Sequence, residues 1–334
     1  MKVLVNGIGN IGTTLACLLS DFKLKLGIDE ILVYKNIPQP WLETNLDFLT
    51  SKGIKVITSK QQDFKTIINQ VDYIFETTAN GIGLENLKLY QQLKKLKGAC
   101  AQGSEKGFGV SFMSGVNNDQ IINQKFVQIV SCNTHGAASI LQTICNSSLS
   151  NLKQADFVVV RRSEDIGNHQ RLVGANVVAR HLSLQTGTHH AIDVKDLYHS
   201  LGVNCNITSS DITTPSQLLH STRFNIELNN PINKDELLKR IQQNKFLALT
   251  SKFDSNKVFE LGRRYGNYGR IYNHCIVLFN NVLINNNTIK GWAFIPQEGN
   301  TLLSILHSFL LQTNNKNAEK IINQIKKELL FDKW

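Results

Sequence analysis

The sequence lacks any long apolar run. No stretch of its 334 residues approaches the ~18 consecutive apolar residues that a membrane-spanning helix needs, so we expect no such helix. Asn6 and Gly7 interrupt the first apolar stretch, which is too early for a secretory signal peptide. We therefore expect a cytoplasmic protein. Apolar residues make up 42% and charged residues 19% of the chain. These fractions are typical of globular proteins and exclude a mainly disordered or collagen-like chain.

The cysteines include no pair with CxxC spacing. At ~100–200 residues per domain, the chain is long enough for two domains, and domains of this size do not depend on disulfide or metal cross-links for stability. A disulfide framework or a zinc site is therefore not expected. The question is whether one cysteine is reactive. The six cysteines are Cys17, Cys100, Cys132, Cys145, Cys205 and Cys275.

Positive charge is in excess, but no long basic run is present. The formal net charge is +10, and the lysines occur singly or in short pairs. This pattern indicates either a solvated basic surface or a site for anions. Among functional interpretations, a phosphorylated small ligand is favoured over nucleic acid, because an anion site needs only a few well-placed cations.

Strands and helices alternate over the first part of the chain, which predicts a parallel sheet covered by helices. The predicted strands are 2–6, 30–35, 55–58, 73–77 and 99–102, with helical stretches such as 61–70 and 84–97. Beyond a strand at 127–131 and a helix at 134–149, longer strands follow at 156–162, 221–228 and 275–284. We therefore predict an α/β chain. A Rossmann-type dinucleotide-binding domain spans 1–131 and is completed by a C-terminal helix at 308–334. An α+β catalytic domain with a largely antiparallel sheet spans 132–307.

A glycine turn follows the first strand and opens a helix. Gly7, Gly9 and Gly12 form the pattern GxGxxG, whose glycines permit a tight turn and close approach of a pyrophosphate to the helix N-terminus. The alternative is a turn that binds nothing. No acidic residue ends the second strand, where a carboxylate would bind the ribose of NAD and repel a 2′-phosphate. Lys35 stands there instead, so NADP is expected to be accepted and NAD remains possible. A solvated turn lysine is the alternative for Lys35.

Cys132 is the candidate nucleophile. It follows an apolar strand and precedes a predicted helix, and a thiolate is stabilised at a helix N-terminus. A thiolate nucleophile needs a base nearby. The histidines with supporting context are the pair His189-His190 and His220. Arg161 and Arg162, which end a strand, indicate either phosphate recognition or a basic surface pair.

The ordered set of motifs resembles the archaeal-type (type II) glyceraldehyde-3-phosphate dehydrogenases over nearly the whole chain. The motifs are VNGIGNIG at 5–12, YKNIP at 34–38, ETTANGIGLEN at 76–86, AQGSEKG at 101–107, VSF at 110–112, IVSCNTHG at 129–136, VVRRSED at 159–165, THH at 188–190, TTPSQLLH at 213–220 and PQE at 296–298. His135 departs from the family pattern, which has a threonine there.

The resemblance implies a role for each matching residue. Cys132 matches the catalytic thiol and His220 the catalytic histidine. The residues that match the family's substrate-binding or phosphate-binding positions are Ser131, Asn133, His189 and His190. We add Thr134 and Arg161 as anion-binding residues. The residues expected to contact the cofactor are Gly7, Gly9, Asn10, Ile11, Gly12, Gly103, Arg162 and Gln297, in addition to Lys35. The family also implies a homotetramer.

The implied reaction is phosphorylating oxidation of glyceraldehyde 3-phosphate with NAD or NADP. Cys132 attacks the aldehyde, and His220 accepts the hydroxyl proton as hydride leaves. A backbone N–H at the helix start, with Asn133, stabilises the oxyanion. Inorganic phosphate then cleaves the thioester to 1,3-bisphosphoglycerate. The alternatives are a related phosphorylating dehydrogenase of another aldehyde, and a nucleic-acid-binding or regulatory protein that retained the fold.

Overall fold

The computed structural model describes residues 1–36, 43–103, 105–162, 177–215 and 218–334. Motif residues 37–38, 104, 163–165 and 216–217 lie outside the described residues. The chain divides into two compact units. The first comprises residues 1–130 and 302–327, and the second comprises residues 131–301 and 328–334.

The first unit contains a wholly parallel sheet of seven strands, in the order β3-β2-β1-β4-β5-β7-β6. The strands are β1 (Lys2–Asn6), β2 (Glu30–Lys35), β3 (Lys55–Thr58), β4 (Tyr73–Glu76), β5 (Gly98–Ala101), β6 (Val110–Phe112) and β7 (Phe126–Ile129). The helices between them are α1 (Asn10–Asp21), α2 (Lys23–Leu26), α3 (Glu43–Ser51), α4 (Phe64–Ile68) and α5 (Ile82–Tyr90). The predicted Rossmann-type sheet is confirmed.

The strand order of the first unit reverses direction between β1 and β4. In open α/β sheets, ligands bind outside the carboxyl ends of the strands at this switch point. β1 ends at Asn6 and β4 ends at Glu76, so the glycine turn that follows β1 lies at this edge. β4 is fully buried and β1 is buried except at Lys2, as expected for a sheet covered on both faces.

The second unit is built on a mixed sheet, in the order β12-β13-β15-β11-β8-β10-β9, with β14 paired to β15. Its elements are α6 (Cys132–Cys145), β8 (Leu152–Arg162), β9 (Val177–Val178), α7 (His189–His199), β10 (Ile207–Thr214), β11 (His220–Leu228), α8 (Lys234–Gln243), β12 (Leu247–Thr250), α9 (Ser255–Tyr265), β13 (Cys275–Leu278), β14 (Leu283–Asn285) and β15 (Thr288–Ile295). The pairs β8–β10 and β12–β13 are parallel, and the others are antiparallel.

The predicted single strand at 275–284 is wrong. β13 ends at Leu278, a 3₁₀ turn follows at Phe279–Asn281, and β14 pairs back onto β15. Asn280 and Asn281 explain the break, because asparagine favours turns over strand interiors.

The chain returns to the first unit through α10 (Leu302–Gln312), whose residues are almost all buried, and continues into α11 (Ala318–Leu329). The prediction gave all of 308–334 to the first domain as one helix, but α10 ends at Gln312 and α11 begins at Ala318. In the structure the last seven residues belong to the second unit. There Trp334 N donates to Leu249 O at 2.9 Å, and the Trp334 indole donates to Asn273 at 2.9 Å.

Candidate active site

Cys132 is the first residue of α6, which begins two residues before the predicted helix at 134–149, so Cys132 lies at a helix N-terminus. Ser131 is the N-cap, and its hydroxyl accepts a hydrogen bond from Thr134 N at 3.3 Å. The Thr134 hydroxyl lies 2.8 Å from the capping hydroxyl of Ser131. Cys132 itself is half-buried. A half-buried thiol in the first turn of a helix is placed where negative charge is favoured.

The other cysteines are buried and poorly suited to nucleophilic chemistry. Burial raises the pKa of Cys17 and Cys100 to about 11 and that of Cys145 and Cys205 to about 12. Burial also raises the pKa of Cys275 strongly. These thiols stay protonated at neutral pH, which distinguishes them from a residue at a helix N-terminus.

His220 begins β11 and is held at two points. Its ring Nδ1 accepts a hydrogen bond from Arg162 N at 3.1 Å, and its backbone N donates to Gln297 Oε1 at 3.3 Å. Burial lowers the pKa of His220 well below 6.5, and the charges of Arg162, Arg161 and His190 lower it further. The ring is therefore neutral at physiological pH. Because Nδ1 accepts, the hydrogen of the neutral ring lies on Nε2.

One short loop connects the histidine to the cysteine. Gln297 accepts from His220 N at 3.3 Å, and three residues later Asn300 Nδ2 donates to Cys132 O at 3.0 Å. Ile295, the last residue of β15, is paired with His220 across the sheet. A Cβ on Gly136 of α6 would lie only 2.7 Å from the Ile295 side chain, so the helix packs against the same end of the sheet. The loop 297–300 thus contacts the main chains of both Cys132 and His220.

Arg161 and Arg162 have different surroundings. Arg162 is buried, with its guanidinium donating to Leu218 O at 3.2 Å and to Glu298 at 2.7 Å. Arg161 is more exposed and lies 3.4 Å from Asp211. Of the two, Arg161 is the one open to an anionic ligand.

Asp211 is a buried carboxylate between two basic groups, Arg161 and His190. His190 Nε2 lies 3.2 Å from Asp211 Oδ2. Burial would raise the pKa of Asp211, but His190 and Arg161 outweigh that effect and lower it. The exposed His189 ring lies 3.9 Å from the His190 ring. The predicted anion-binding residues Arg161, His189 and His190 therefore form one basic cluster that includes a fixed carboxylate.

The same cluster has the donor types of a metal site, since the ligand atoms of His189, His190 and Asp211 lie within 4.8 Å of one another. The guanidinium of Arg161 lies on the same carboxylate oxygen, Oδ2. A divalent cation there would face this positive charge directly, so the arrangement favours an anion.

The remaining predicted residues of α6 are buried. Asn133 is 4% exposed, and its amide oxygen has no hydrogen-bond partner in the part of the chain that the structure describes. His135 is fully buried, and its Nδ1 lies 3.0 Å from Ser131 O. Its ring packs edge-on against His274. His135 is therefore a core residue of the helix start.

The glycine turn has the shape that a dinucleotide requires. Gly7 has a φ of +100°, which favours glycine, and a Cβ on Gly12 would lie 2.1 Å from Gly7 O. Gly9, in contrast, is exposed, and a Cβ added there would have no described atom within 4 Å. In dinucleotide sites the first glycine permits the tight turn, the second lets the pyrophosphate approach the backbone, and the third lets the helix pack closely. Among the residues that the structure describes, no side chain caps the N-terminus of α1.

The other predicted cofactor contacts lie in both units. Asn10 and Ile11 open α1, Lys35 ends β2, and Gly103 follows β5 and accepts from Gln128 Nε2 at 3.0 Å. Arg162 and Gln297 belong to the second unit, where the structure shows them holding His220. The buried Gln297 Nε2 has no partner among the described residues. The cofactor roles of these residues stay predictions.

Sequence reasoning missed three residues of this site. Asp211 lies at an inward position of β10, a strand that was not predicted, and an acid within an alternating strand pattern would have been the signal. Glu298 belongs to the PQE motif but was given no role. Nothing in the sequence singles out Asn300, because its contact with Cys132 O joins residues far apart in the chain.

Comparison with known proteins gives a consistent result. The chain is 27% identical over 320 residues to a glyceraldehyde-3-phosphate dehydrogenase of Sulfolobus acidocaldarius, covering 89% of this chain and 88% of that protein. Proteins with the same name from Saccharolobus islandicus and Sulfurisphaera tokodaii are 26% and 25% identical, over 78% and 89% of this chain and 76% and 88% of theirs. No protein-family model matches the chain. This similarity supports a relationship with the glyceraldehyde-3-phosphate dehydrogenases and an oxidoreductase function.

Proposed function

We propose that the protein is a phosphorylating glyceraldehyde-3-phosphate dehydrogenase. It oxidises glyceraldehyde 3-phosphate with NAD or NADP and inorganic phosphate to 1,3-bisphosphoglycerate. The observation that carries the proposal is the loop 297–300, which joins Cys132 at a helix N-terminus to a neutral, buried His220. The basic cluster of Arg161, His189 and His190 supports a phosphorylated substrate. The names of the related proteins point to the same reaction.

The glycine turn supports a dinucleotide cofactor. Gly7, Gly9 and Gly12 would hold its pyrophosphate at the start of α1, and Lys35 would meet a 2′-phosphate. When bound, the dinucleotide supplies the acceptor for the hydride. Because no carboxylate ends β2, whose sequence is EILVYK, we propose that NADP is used at least as well as NAD.

The chemistry begins at Cys132. Its thiolate attacks the aldehyde carbon, and the electrons of the C=O bond move onto oxygen to give an alkoxide. The first N–H groups of α6 are suited to stabilising this oxygen. Loss of hydride from the same carbon restores the C=O bond and leaves a thioester on Cys132. A phosphate oxygen then attacks the thioester carbon, and Cys132 leaves as thiolate.

His220 faces this chemistry in a defined protonation state. With Nδ1 accepting from Arg162 N, the neutral ring presents Nε2–H, which donates a hydrogen bond to the alkoxide oxygen. Hydride loss from an alkoxide needs no base. The predicted role of His220 as proton acceptor stays a prediction, and it requires the tautomer in which Nδ1 carries the hydrogen.

The basic cluster would hold the two anions of the reaction, the substrate phosphate and inorganic phosphate. Arg161 is the more exposed arginine, and the carboxylate of Asp211 fixes its position. His189 is exposed at the start of α7, beside the buried His190. Guanidinium and imidazole N–H groups at this spacing suit phosphate oxygens.

The deciding experiment follows NAD(P)H formation from glyceraldehyde 3-phosphate by the absorbance of the reduced nicotinamide. We expect turnover that needs inorganic phosphate and that arsenate sustains. Turnover in the absence of both phosphate and arsenate would exclude the phosphorylating reaction. Preference for another aldehyde in a substrate panel would indicate the related dehydrogenase. Salt-dependent RNA binding without turnover would indicate a regulatory protein.

Among the described residues, no helix is both long and apolar enough to cross a bilayer. A cytoplasmic location and a homotetramer stay predictions. Gel filtration with light scattering would test the tetramer.

A further inference from the structure

Glu298 lies between two guanidinium groups. Its side chain is 8% exposed, with Oε1 2.7 Å from the Arg162 guanidinium and Oε2 paired with Arg270. The Arg162 side chain is only 4% exposed, whereas its neighbour Arg161 is 38% exposed. A buried guanidinium requires a compensating charge, and Glu298 supplies it.

Arg162 in turn contacts the histidine. Its backbone N–H donates to His220 Nδ1 at 3.1 Å, and its guanidinium donates to the carbonyl of Leu218 at 3.2 Å. Leu218 lies just before His220 in the chain, so one arginine holds both the ring and the segment leading to it. Gln297, next to Glu298, holds His220 N. The Arg162 guanidinium thus contacts the segment leading to His220, and the Arg162 backbone N–H contacts the ring itself.

We propose that Glu298 is a positioning residue for His220: its carboxylate holds Arg162, and Arg162 fixes the orientation and tautomer of the His220 ring. This inference rests on the proposed function, in which His220 donates to the reacting oxygen. Small displacements of a reacting group are costly, since a misplacement of about 1 Å can reduce the rate about 10²-fold. A residue that does not touch substrate can therefore determine the rate.

The test compares Glu298→Gln with Arg270→Gln. The first variant removes the charge that holds Arg162. The second breaks the other half of the same ion-pair chain and leaves the Glu298–Arg162 contact in place. For Glu298→Gln we expect kcat to fall about 10²-fold with KM for the aldehyde within about 2-fold. For Arg270→Gln we expect kcat within about 2-fold of the wild type. Equal losses in both variants, or no loss in Glu298→Gln, would overturn the proposal.

A spectroscopic measurement tests the positioning without turnover. In protein labelled with ¹⁵N-histidine, the His220 resonances are assigned with His220→Asn. We expect the wild type to show an unprotonated Nδ1 and a protonated Nε2 at pH 7. In Glu298→Gln we expect the ¹⁵N chemical shifts of the two nitrogens to depart from this pattern. An unchanged pattern would refute the inference. If the wild type does not oxidise glyceraldehyde 3-phosphate, the proposed function is wrong. The resonances of His220 still show in that case whether Glu298 positions the ring.

A second variant serves if Glu298→Gln does not fold. Glu298→Asp keeps the charge but withdraws the carboxylate from Arg162 by one methylene group. We expect it to fold, to lose kcat without a change in KM, and to alter the His220 resonances. A Glu298→Asp variant identical to the wild type in both measurements would contradict the proposal.

Discussion

Replacing Gly12 by alanine tests how the glycine turn is built. Its Cβ would lie 2.1 Å from Gly7 O and 2.5 Å from Thr77 Oγ1. The first of these atoms belongs to the backbone, and the Thr77 hydroxyl is itself bonded to Asn6 O and Gly7 O at 3.0 and 2.9 Å. Neither atom can move away without disturbing the carboxyl ends of β1 and β4. The methyl group therefore forces a local shift of the turn.

The size of the effect follows from two opposing contributions. Alanine is favoured over glycine inside a helix by up to about 1 kcal/mol. Overpacking against fixed atoms costs typically 1–3 kcal/mol, and the 2.1 Å contact places this case at about 3 kcal/mol. The free energy of unfolding should thus fall by about 2 kcal/mol. For a unit of this size, that corresponds to a Tm lower by about 4–8 °C.

Gly9→Ala is the matched control. Its new methyl group would have no described atom within 4 Å, and the φ of −76° at this position is open to alanine. We expect a loss of stability below about 1 kcal/mol. The methyl group would nevertheless occupy the open side of the turn, so NADP affinity should fall at least about 10-fold, or about 1.4 kcal/mol.

Circular dichroism melts and calorimetric titration with NADP separate the two variants. A Gly12→Ala protein as stable as the wild type would refute the packing argument. A Gly9→Ala protein that binds NADP with wild-type affinity would refute the assignment of the open side to the dinucleotide.

The remaining predictions concern single side chains. Cys132→Ser should abolish turnover and leave NADP binding intact. Iodoacetamide should label Cys132 faster than the buried thiols. Peptide mapping measures this labelling, and a different cysteine reacting first would contradict the assignment. Lys35→Ala should weaken NADP more than NAD, by about 1–3 kcal/mol, and equal losses in binding titrations would place Lys35 away from the 2′-phosphate. His220→Asn should slow hydride transfer by about 10²–10⁴-fold, whereas His189→Asn should mainly raise KM; steady-state kinetics showing the reverse pattern would exchange the roles. Because the pKa of His220 is lowered on folding, the free energy of unfolding should be unaffected by this residue above pH ~6.5 and should fall below it, by at most about 1.4 kcal/mol per pH unit. Urea titrations at several pH values should show a shallower fall in His220→Asn, and an identical slope would refute the shift.

The local patterns of the sequence predicted the parts of the fold that depend on nearby residues. The GxGxxG turn and the position of Cys132 at a helix start each depend on a few consecutive residues, and the structure has both. The packing of the chain end could not be predicted in this way, because the hydrogen bond between Trp334 and Leu249 joins residues that are distant in sequence.

The contacts of the candidate site could be predicted only in part. Arg161 and Arg162 are neighbours in sequence, but the first lies beside Asp211 and the second beside Glu298. Which carboxylate meets which arginine is decided by the pairing of β8 with its neighbours and by the loop after β15. No local pattern contains that information.

The loop 297–300 also links the main chains of the two reactive residues. Gln297 holds the main chain of His220, and Asn300 holds the main chain of Cys132, so a displacement of this loop shifts both groups together. Gly299 lies between them, and a Cβ there would be 2.1 Å from Ile271 O. The loop can therefore pass this point only with glycine. The path of the loop that contacts both main chains thus depends on a residue that has no side chain and takes no part in the chemistry.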